Sequence, residues 1–349
     1  MEQVFELCNN LLGRDRETKR RRLLVRDYKV IPLAAQAGVI EFVDNTITLC
    51  GWLETAHKRY AISYVPSIKE LRESMSRVSG DGVEARIRKF KSILQRVKPV
   101  MRHYFTEAHR KPSAWFAMRL NYVRSVATTS IVGHVLGLGD RHVSNILIDR
   151  LSGELIHIDF GIAFDQGKLL RVPETVPFRM TGDMVDGMGI SGTDGVFQRC
   201  AEETLRVLRE GSEVIMTVLE VFRHDPLHSW TANEDKMNRA QPESAVTEPA
   251  AEPATTVVHG TMEINLSSGV ADEAADRALS GVAKKLSKTL SVASTVSGLI
   301  AEARDPANLG VIFPGEGCSS SCIRVLTLFR VVTIFLKPRV IVSHSEFPF

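Results

Sequence analysis

The chain has 349 residues, of which 44% are hydrophobic and 24% are charged, and this ordinary globular composition excludes a wholly disordered or fibrous protein. Its length predicts about two domains. The net charge of +3 is too small to indicate a nucleic-acid partner by itself. Five scattered cysteines without a CxxC pair favour a reducing compartment. We expect neither a secretory signal nor a membrane span, because no basic region precedes an apolar run and no uncharged apolar run reaches about 18 residues.

The first part of the chain combines one predicted helix with two predicted strands. Apolar residues recur at helical spacing over residues 2–12, and strand-like runs cover residues 23–33 and 38–43. After the helix, residues 14–29 contain eight basic and three acidic side chains. A nucleic-acid patch is one interpretation of this stretch, but a solvated turn between helix and strand is favoured. The chain therefore shows no direct signal of a nucleic-acid partner.

The middle of the chain predicts helices around a pair of short strands. Apolar residues recur every three or four positions after Trp115, which indicates a stripe that faces the core. Pro99 is expected to bend or end the helix that contains it. The predicted helices cover residues 88–109, 115–135, 195–209, 212–222 and 278–303, and the two predicted strands cover residues 145–148 and 154–158.

Composition changes near residue 241. From there to residue 277 the chain is acidic, rich in Ala, Pro, Thr and Ser, and free of aromatic residues. Such a segment offers little apolar surface to offset the entropy lost on ordering. We therefore predict a disordered linker over residues 236–280.

The segment that carries chemistry is GLGDRHVSNILIDRLSGELIHIDFG, residues 137–161. Its first two glycines are expected to end a helix and open a loop, which carries Asp140 and Asn145. A turn between two short strands then returns Asp159 to that loop. In phosphoryl transfer, a carboxylate orients or accepts the proton of the attacking hydroxyl, while an amide oxygen and a second carboxylate hold Mg²⁺ against the nucleotide phosphates. The pattern therefore predicts a phosphoryl-transfer site that uses ATP.

The spacing makes this interpretation specific. Asn145 follows Asp140 by five residues and the Asp-Phe-Gly sequence begins 14 residues later, as in the kinase catalytic loop. Each aspartate alone would more often be a turn or cap residue, but the ordered combination favours catalysis. His142 is either a packed side chain or a group that donates to a phosphate or holds Asp140, and the functional interpretation is favoured.

A family resemblance accompanies these motifs. The order Asp-Arg-His and the segments GLGDRHVSNILID, HIDFGIAFDQGK and PETVPFRMTGDMVDGMGISGTDGVFQRC resemble the phosphatidylinositol 3-kinase-related protein kinases, and within them the ataxia-telangiectasia mutated (ATM) type. The resemblance implies an α+β, protein/lipid-kinase-like catalytic domain. It places a partial small lobe at residues 1–44 and the mostly helical large lobe at residues 45–235. A helical segment with a partial FATC motif, LIAEARDPANLGVIFPG, would occupy residues 281–315.

The resemblance also implies roles for individual residues. Asp140 and His142 match the catalytic pair, and Asn145 and Asp159 match the ligands of Mg²⁺, or alternatively Mn²⁺. Residues 38–43 match the hinge between the lobes, whose backbone would bind the adenine of ATP near Glu41 and Val43. The implied nucleotide-pocket residues are Tyr28, Ile40, Glu41, Phe42, Val43, Leu147 and Ile158. For Leu147 and Ile158, simple strand core is the alternative, and both roles are compatible.

The same resemblance implies a Ser/Thr protein kinase that acts on protein substrates at Ser or Thr followed by Gln. It also implies DNA-damage signalling in the nucleus, with a DNA-break sensor complex as partner. Residues 161–178, the expected activation loop, contain few basic residues, which favours a protein substrate over an inositol-phosphate headgroup. A non-catalytic interaction module is the main alternative, and a lipid kinase is a weaker one.

Two departures from the family pattern bear on activity. The chain begins at the helix that would be αC, whereas the family places a nucleotide-covering loop and a phosphate-contacting Lys before it. We therefore expect low or no activity from this chain alone. After Gly315, where the family ends within a few residues, this chain continues with residues 316–349. We interpret this tail as translated intron or shifted reading frame without native structure, with a genuine membrane-leaning tail as the alternative.

Overall fold

The computed structural model describes residues 1–34, 37–60, 68–78, 80–170, 173–223, 268–312 and 333–334. Helix α1 (Glu2–Arg14) confirms the predicted first helix. Helix α2 (Arg16–Arg21) follows it, because the side chain of Asp15 caps the new helix by accepting the N–H groups of Glu17 and Thr18, each at 3.0 Å.

Basic side chains between α1 and the first strand pair with acids of the same molecule. Arg20 contacts Glu17 at 2.9 Å, and Arg26 contacts Glu154 at 2.7 Å. Part of the basic stretch therefore has acidic partners inside the fold.

Two small antiparallel sheets flank the helices. Strands β1 (Val30–Ala34) and β2 (Ala37–Ile40) pair with Val30 opposite Ile40. The second sheet consists of β3 (Thr46–Thr48), β4 (Ile146–Asp149) and β5 (Leu155–His157), in that order. Strands β4 and β5 confirm the two strands predicted around the polar turn. Strand β3 was not predicted, since three residues are too few to show a period of two.

The remaining helices complete the large helical lobe. Two helices, α5 (Val83–Arg96) and α6 (Arg102–Ala108), replace the single helix predicted over residues 88–109, and the break at Pro99 is as expected. The helices after β3 are α3 (Leu49–Tyr60), α4 (Ile68–Ser76), α5 (Val83–Arg96), α6 (Arg102–Ala108), α7 (Pro112–Leu136), α8 (Gly182–Gly187), α9 (Val196–Glu210), α10 (Ser212–Arg223), α11 (Ser268–Leu286), α12 (Val292–Ala303) and α13 (Pro306–Ile312), with a short 3₁₀ helix at Gln166–Leu169.

The helix predicted over residues 278–303 is in fact two helices. Helix α11 begins at Ser268, inside the range predicted as linker, because Ala275 and Leu279 are buried in the core. The acidic composition of the segment conceals these apolar positions. Helix α12 starts anew where the Ser291 hydroxyl accepts the N–H of Ser294 at 3.1 Å. The rest of the predicted linker, residues 236–267, lies outside the described residues.

Helix α7 forms the centre of the lobe. Of the predicted core-facing stripe, Val123, Ala127, Ile131 and Val135 are buried, whereas Phe116 is 52% exposed. Burial also extends beyond the stripe to almost every residue after Tyr122. Small hydroxyl residues permit burial on all sides by bonding to their own helix. Ser125 Oγ donates to Tyr122 O at 2.9 Å, and Thr128 Oγ1 donates to the carbonyl one turn earlier at 3.0 Å.

One hydrophobic core connects both ends of the described chain. It includes Phe5 of α1, Ile131 of α7, Leu286 of α11 and Val296 of α12. No helix within the described ranges is long and apolar enough to cross a membrane. Of the tail, residues 316–349, the structure describes only β6 (Thr333–Ile334), which pairs antiparallel with β2, and the remaining prediction for the tail lies outside the described residues.

Candidate catalytic site

The site begins where α7 ends. Gly137 has a φ of 62° and closes the helix, as the sequence predicted, and a side chain there would overlap the backbone of Asp165. The residues after Gly137 bond to the segment that follows β5: Gly139 N donates to Ile162 O at 3.0 Å. This pairing holds the loop that carries Asp140 against the segment that follows Asp159.

The structure brings together the three predicted oxygen-bearing side chains. Asn145 Nδ2 donates to Asp140 O at 3.0 Å. Ile158 N donates to Asn145 O at 3.0 Å, so Asp159 follows directly beside Asn145. Asp140 and Asp159 both adopt left-handed backbone, with φ values of 56° and 58°, a conformation that few residues other than Gly, Asn and Asp adopt.

His142 lies beside Asp140 without a direct hydrogen bond, since its Nε2 is 3.9 Å from Asp140 Oδ1. Burial lowers the pKa of His142 to about 4, so the ring is neutral at pH 7. Its Nδ1 accepts the N–H of Ser144 at 3.2 Å, which leaves the proton on Nε2. His142 therefore offers a neutral hydrogen-bond donor rather than a positive charge.

Asp140 is a buried carboxyl in a mixed electrostatic environment. Burial is the main reason that its pKa rises to about 7. The negative charges of Glu174 and Asp159 raise the pKa further, and the guanidinium of Arg141 opposes them.

Arg141 and Glu174 are site residues to which the sequence analysis gave no role. The buried Arg141 guanidinium donates to Gly139 O at 2.8 Å, to Ile158 O at 2.7 Å and to the carbonyl of Asp159. Glu174 accepts the N–H of Asp140. The place of Arg141 between Asp140 and His142 was the one local signal that it belongs to the site. Nothing in the sequence around Glu174 indicates that it contacts Asp140.

Asn145 and Asp159 fit a divalent cation that is held mainly by phosphates. Because Asn145 Nδ2 is used by Asp140, its Oδ1 is the atom left for a cation, and Asp159 is exposed. Two oxygen donors suit Mg²⁺, which keeps several waters and usually takes one or two side chains plus substrate phosphates. Among the described residues, no group of three or more His, Cys, Asp or Glu side chains forms a metal cage.

The predicted hinge residues lie in and after β2. Ile40 ends the strand, and Glu41 N donates to Lys29 O at 2.8 Å, so only the carbonyl of Glu41 remains for adenine. Val43 accepts the Thr46 hydroxyl at 2.8 Å, and its N–H has no partner among the residues that the structure describes. Phe42 is 47% exposed. The arrangement leaves one acceptor and one donor for a purine edge.

Tyr28 connects the first sheet to the Asp-Phe-Gly sequence. The Tyr28 ring stacks on the Phe160 ring with centroids 6.2 Å apart. Phe5 contacts the Phe160 ring edge-on, with centroids 5.0 Å apart. Burial raises the pKa of Tyr28, and Glu2 and Asp159 add to this rise.

Leu147 and Ile158 share one face of the second sheet. Leu147 pairs with Ile156, and Ile158 is two residues further along the same strand direction. Leu147 is buried and Ile158 is half-buried. Leu147 is therefore part of the strand core, and the nucleotide-pocket role of Leu147 and Ile158 stays a prediction.

Comparison with known proteins identifies the family of this chain. The sequence profile of the phosphatidylinositol 3- and 4-kinase family matches residues 1–232. The chain belongs to this family. It is 48% identical over 317 residues to the serine/threonine-protein kinase tel1 of Emericella nidulans, 46% over 318 residues to tel1 of Schizosaccharomyces pombe and 41% over 328 residues to the serine-protein kinase ATM of Sus scrofa. Its homologues are therefore Tel1/ATM Ser/Thr kinases.

Solved structures give the same fold. The chain matches the FAT and kinase domain of CtTel1 with a TM-score of 0.79 and 43% identity, over 91% of this chain and 20% of that chain. It matches a Tel1 kinase butterfly symmetric dimer with a TM-score of 0.75 and 39% identity, over 90% and 12% respectively. The three relatives each align over 90% of this chain, which spans 11% of their length.

Proposed function

We propose that this chain is the catalytic region of a Ser/Thr protein kinase that transfers the γ-phosphoryl group of ATP to Ser or Thr followed by Gln. The family context supports a role in DNA-damage signalling in the nucleus, with a DNA-break sensor complex as partner. The observation that carries the proposal is the convergence of Asp140, Asn145 and Asp159 in a chain whose relatives are named serine/threonine-protein kinases.

Each side chain has a chemical part in the proposed reaction. Asp140 orients the substrate hydroxyl and accepts its proton as the oxygen attacks phosphorus. The neutral His142 donates its Nε2 proton in a hydrogen bond to a phosphate oxygen on which negative charge develops. The Glu41 carbonyl and the Val43 N–H bind the adenine edge, beside the face formed by Leu147 and Ile158.

Asn145 and Asp159 are the residues that would hold Mg²⁺, or alternatively Mn²⁺. When bound, this cation supplies charge neutralisation for the phosphates of ATP. The protein contributes the position of the two side chains, whose backbones are joined by the 3.0 Å hydrogen bond from Ile158 N to Asn145 O.

The test is a phosphoryl-transfer assay on the native protein that carries this sequence. A Ser-Gln peptide and a matched Ser-Ala peptide are compared with phosphatidylinositol vesicles, each with labelled ATP and Mg²⁺ or Mn²⁺. We expect transfer to the Ser-Gln peptide and a fall in kcat of about 10²- to 10⁴-fold in Asp140→Asn. Asp81→Asn, which changes an exposed carboxylate far along the chain from the site, is the control.

Other results would redirect the assignment. Transfer to lipid without transfer to peptide would overturn the substrate class. Binding to a folded partner without any binding of ATP would overturn catalysis and favour the interaction module.

A further inference from the structure

Glu174 reaches the backbone of the catalytic loop from the expected activation loop. Its Oε2 accepts the N–H of Asp140 at 2.8 Å across 34 residues of chain. Its own N–H donates to Gly167 O at 3.1 Å. Glu174 is thus anchored within its own loop while its carboxylate holds the loop that carries the catalytic aspartate.

Two glycines leave room for this carboxylate. A Cβ at Gly139 would lie 2.9 Å from Glu174 Oε2, and a Cβ at Gly167 would overlap the same oxygen. Neither glycine has a positive φ, so the backbone conformation does not require glycine at either position. Space is the constraint instead: at Gly167 the nearest atom is Glu174 Oε2, and at Gly139 Ile162 Cγ2 and the Cα of Gly167 limit the space together with the carboxylate.

Both backbone polar groups of Asp140 are therefore held by side chains of other residues. Glu174 fixes its N–H, and Asn145 Nδ2 fixes its carbonyl at 3.0 Å. A hydrogen bond from an amide to an ionised carboxylate is stronger than one between neutral groups. Losing it would free the peptide that precedes a left-handed residue and so let the carboxyl of Asp140 change direction.

The segment that supplies Glu174 has its own attachment to the C-terminal helices. Thr175, the next residue, places its Oγ1 3.5 Å from Asn308 O of α13. The position of Glu174 consequently depends on how the loop between Gly161 and Phe178 is seated.

We propose that Glu174 is a positioning residue through which the activation loop sets the backbone of Asp140. This inference rests on the function proposed above. It makes the seating of the substrate-facing loop a condition for an aligned catalytic aspartate, through one hydrogen bond rather than through contact with substrate.

The experiment compares four variants in the native protein. Glu174→Ala removes the acceptor, and Glu174→Gln keeps an oxygen acceptor without the charge. Gly167→Ala keeps the carboxylate but displaces it. Glu302→Gln changes an exposed acid that lines one cavity together with Glu174 but does not bond to Asp140, and it is the matched control.

Two readouts separate positioning from general structural damage. Steady-state kinetics give kcat and the KM for ATP, and hydrogen exchange follows the amides of residues 139–142. We expect kcat to fall about 10- to 100-fold in Glu174→Ala and Gly167→Ala, with the KM for ATP within about twofold. Glu174→Gln should retain kcat within about threefold, and exchange should rise only in the catalytic loop of the two damaged variants.

Each other outcome has a defined meaning. An unchanged kcat or unchanged loop exchange in Glu174→Ala would overturn the proposal. So would a rise in exchange throughout the fold that tracks a lower Tm, because this indicates a purely structural role. If the wild type transfers no phosphoryl group, the proposed function fails, and the exchange data alone still support or overturn the contact between Glu174 and Asp140.

Discussion

Arg141 is a buried cation whose partners are backbone carbonyls. It donates to Gly139 O, Ile158 O and the carbonyl of Asp159, and no carboxylate lies within hydrogen-bond distance among its described contacts. Its guanidinium also lies 5.4 Å from the centroid of the Phe160 ring. The planar fork therefore links the catalytic loop to the Asp-Phe-Gly sequence, which a single ammonium group does less well.

Arg141→Lys is expected to reduce both activity and stability. A lysine cannot replace three donors in a fixed plane, so about 2–4 kcal/mol of unfolding free energy should be lost as carbonyls lose partners. Urea denaturation and the kcat of the native protein measure the two effects. Arg150→Lys, at an exposed position after β4, is the control, and equal stability in the two variants would contradict the expectation.

His134 gives the fold a predictable response to acid. Burial lowers its pKa to about 4, with Lys285 and Lys168 lowering it further and Asp165 opposing them. The unfolded chain binds the proton below about pH 6.5, whereas the folded state resists until about pH 4. The contribution of His134 to the free energy of unfolding is therefore fully present above pH 6.5 and is lost as the pH falls towards 4.

His134→Gln should make unfolding less sensitive to acid. Between pH 7.5 and pH 5, protonation of His134 in the unfolded chain should lower the free energy of unfolding by on the order of 2 kcal/mol. Chemical denaturation at both pH values measures the difference, with His109→Gln as the matched substitution. Identical pH slopes in the wild type and His134→Gln would show that His134 titrates normally.

At the scale of elements, α12 is tied to α9 through one buried arginine. Arg209 Nη1 donates to Leu290 O at 2.8 Å, and Nη2 donates to Thr295 Oγ1 at 3.1 Å. Arg209 is 5% exposed. The start of α12 therefore depends on α9 for its position.

Arg209→Met is expected to loosen α12 without unfolding α9. The apolar stem is kept, but two hydrogen bonds to a charged donor are lost, at a cost of about 2–4 kcal/mol. Hydrogen exchange should rise over residues 288–296. Arg199→Met on the same helix removes a 60% exposed guanidinium, and its partner Glu203 keeps an ion pair with Arg206, so the change should cost less than about 1 kcal/mol. Equal protection of α12 in both variants would refute this role.

Local signals predicted the elements whose ends are fixed locally. Gly137 ends α7 and Pro99 separates α5 from α6, as expected from their backbone preferences. The convergence of Asp140, Asn145 and Asp159 was also expected, because a loop and a hairpin suffice to produce it.

Features that depend on distant contacts were missed. Strand β3 is defined by its pairing with β4, and the burial of α7 depends on neighbours on every side. Glu174 meets Asp140 across 34 residues, a contact for which neither residue type nor spacing gives a signal.

At the scale of the whole molecule, the C-terminal helices belong to the same core as α1. Leu286 is 3% exposed in α11, and Phe5 is 1% exposed in α1. Both contribute to one continuous cluster. A substitution that destabilises α11 should consequently also destabilise α1.

Leu286→Ala should lower the stability of the fold in a single transition. The cavity is expected to cost about 2–4 kcal/mol. Thermal unfolding followed at α1 and at α11 by hydrogen exchange should show the same shift at both ends. Leu290→Ala, at a 61% exposed position, should change the stability of the fold little. A shift confined to α11 would show that this helix unfolds independently.

The left-handed backbone of Asp140 and Asp159 affects how their chemistry can be measured. Alanine disfavours this conformation, whereas asparagine tolerates it. An alanine variant at either position therefore changes the path of the loop together with the charge. Systematic alanine scanning would overstate the catalytic share of these two carboxylates, and asparagine isolates it.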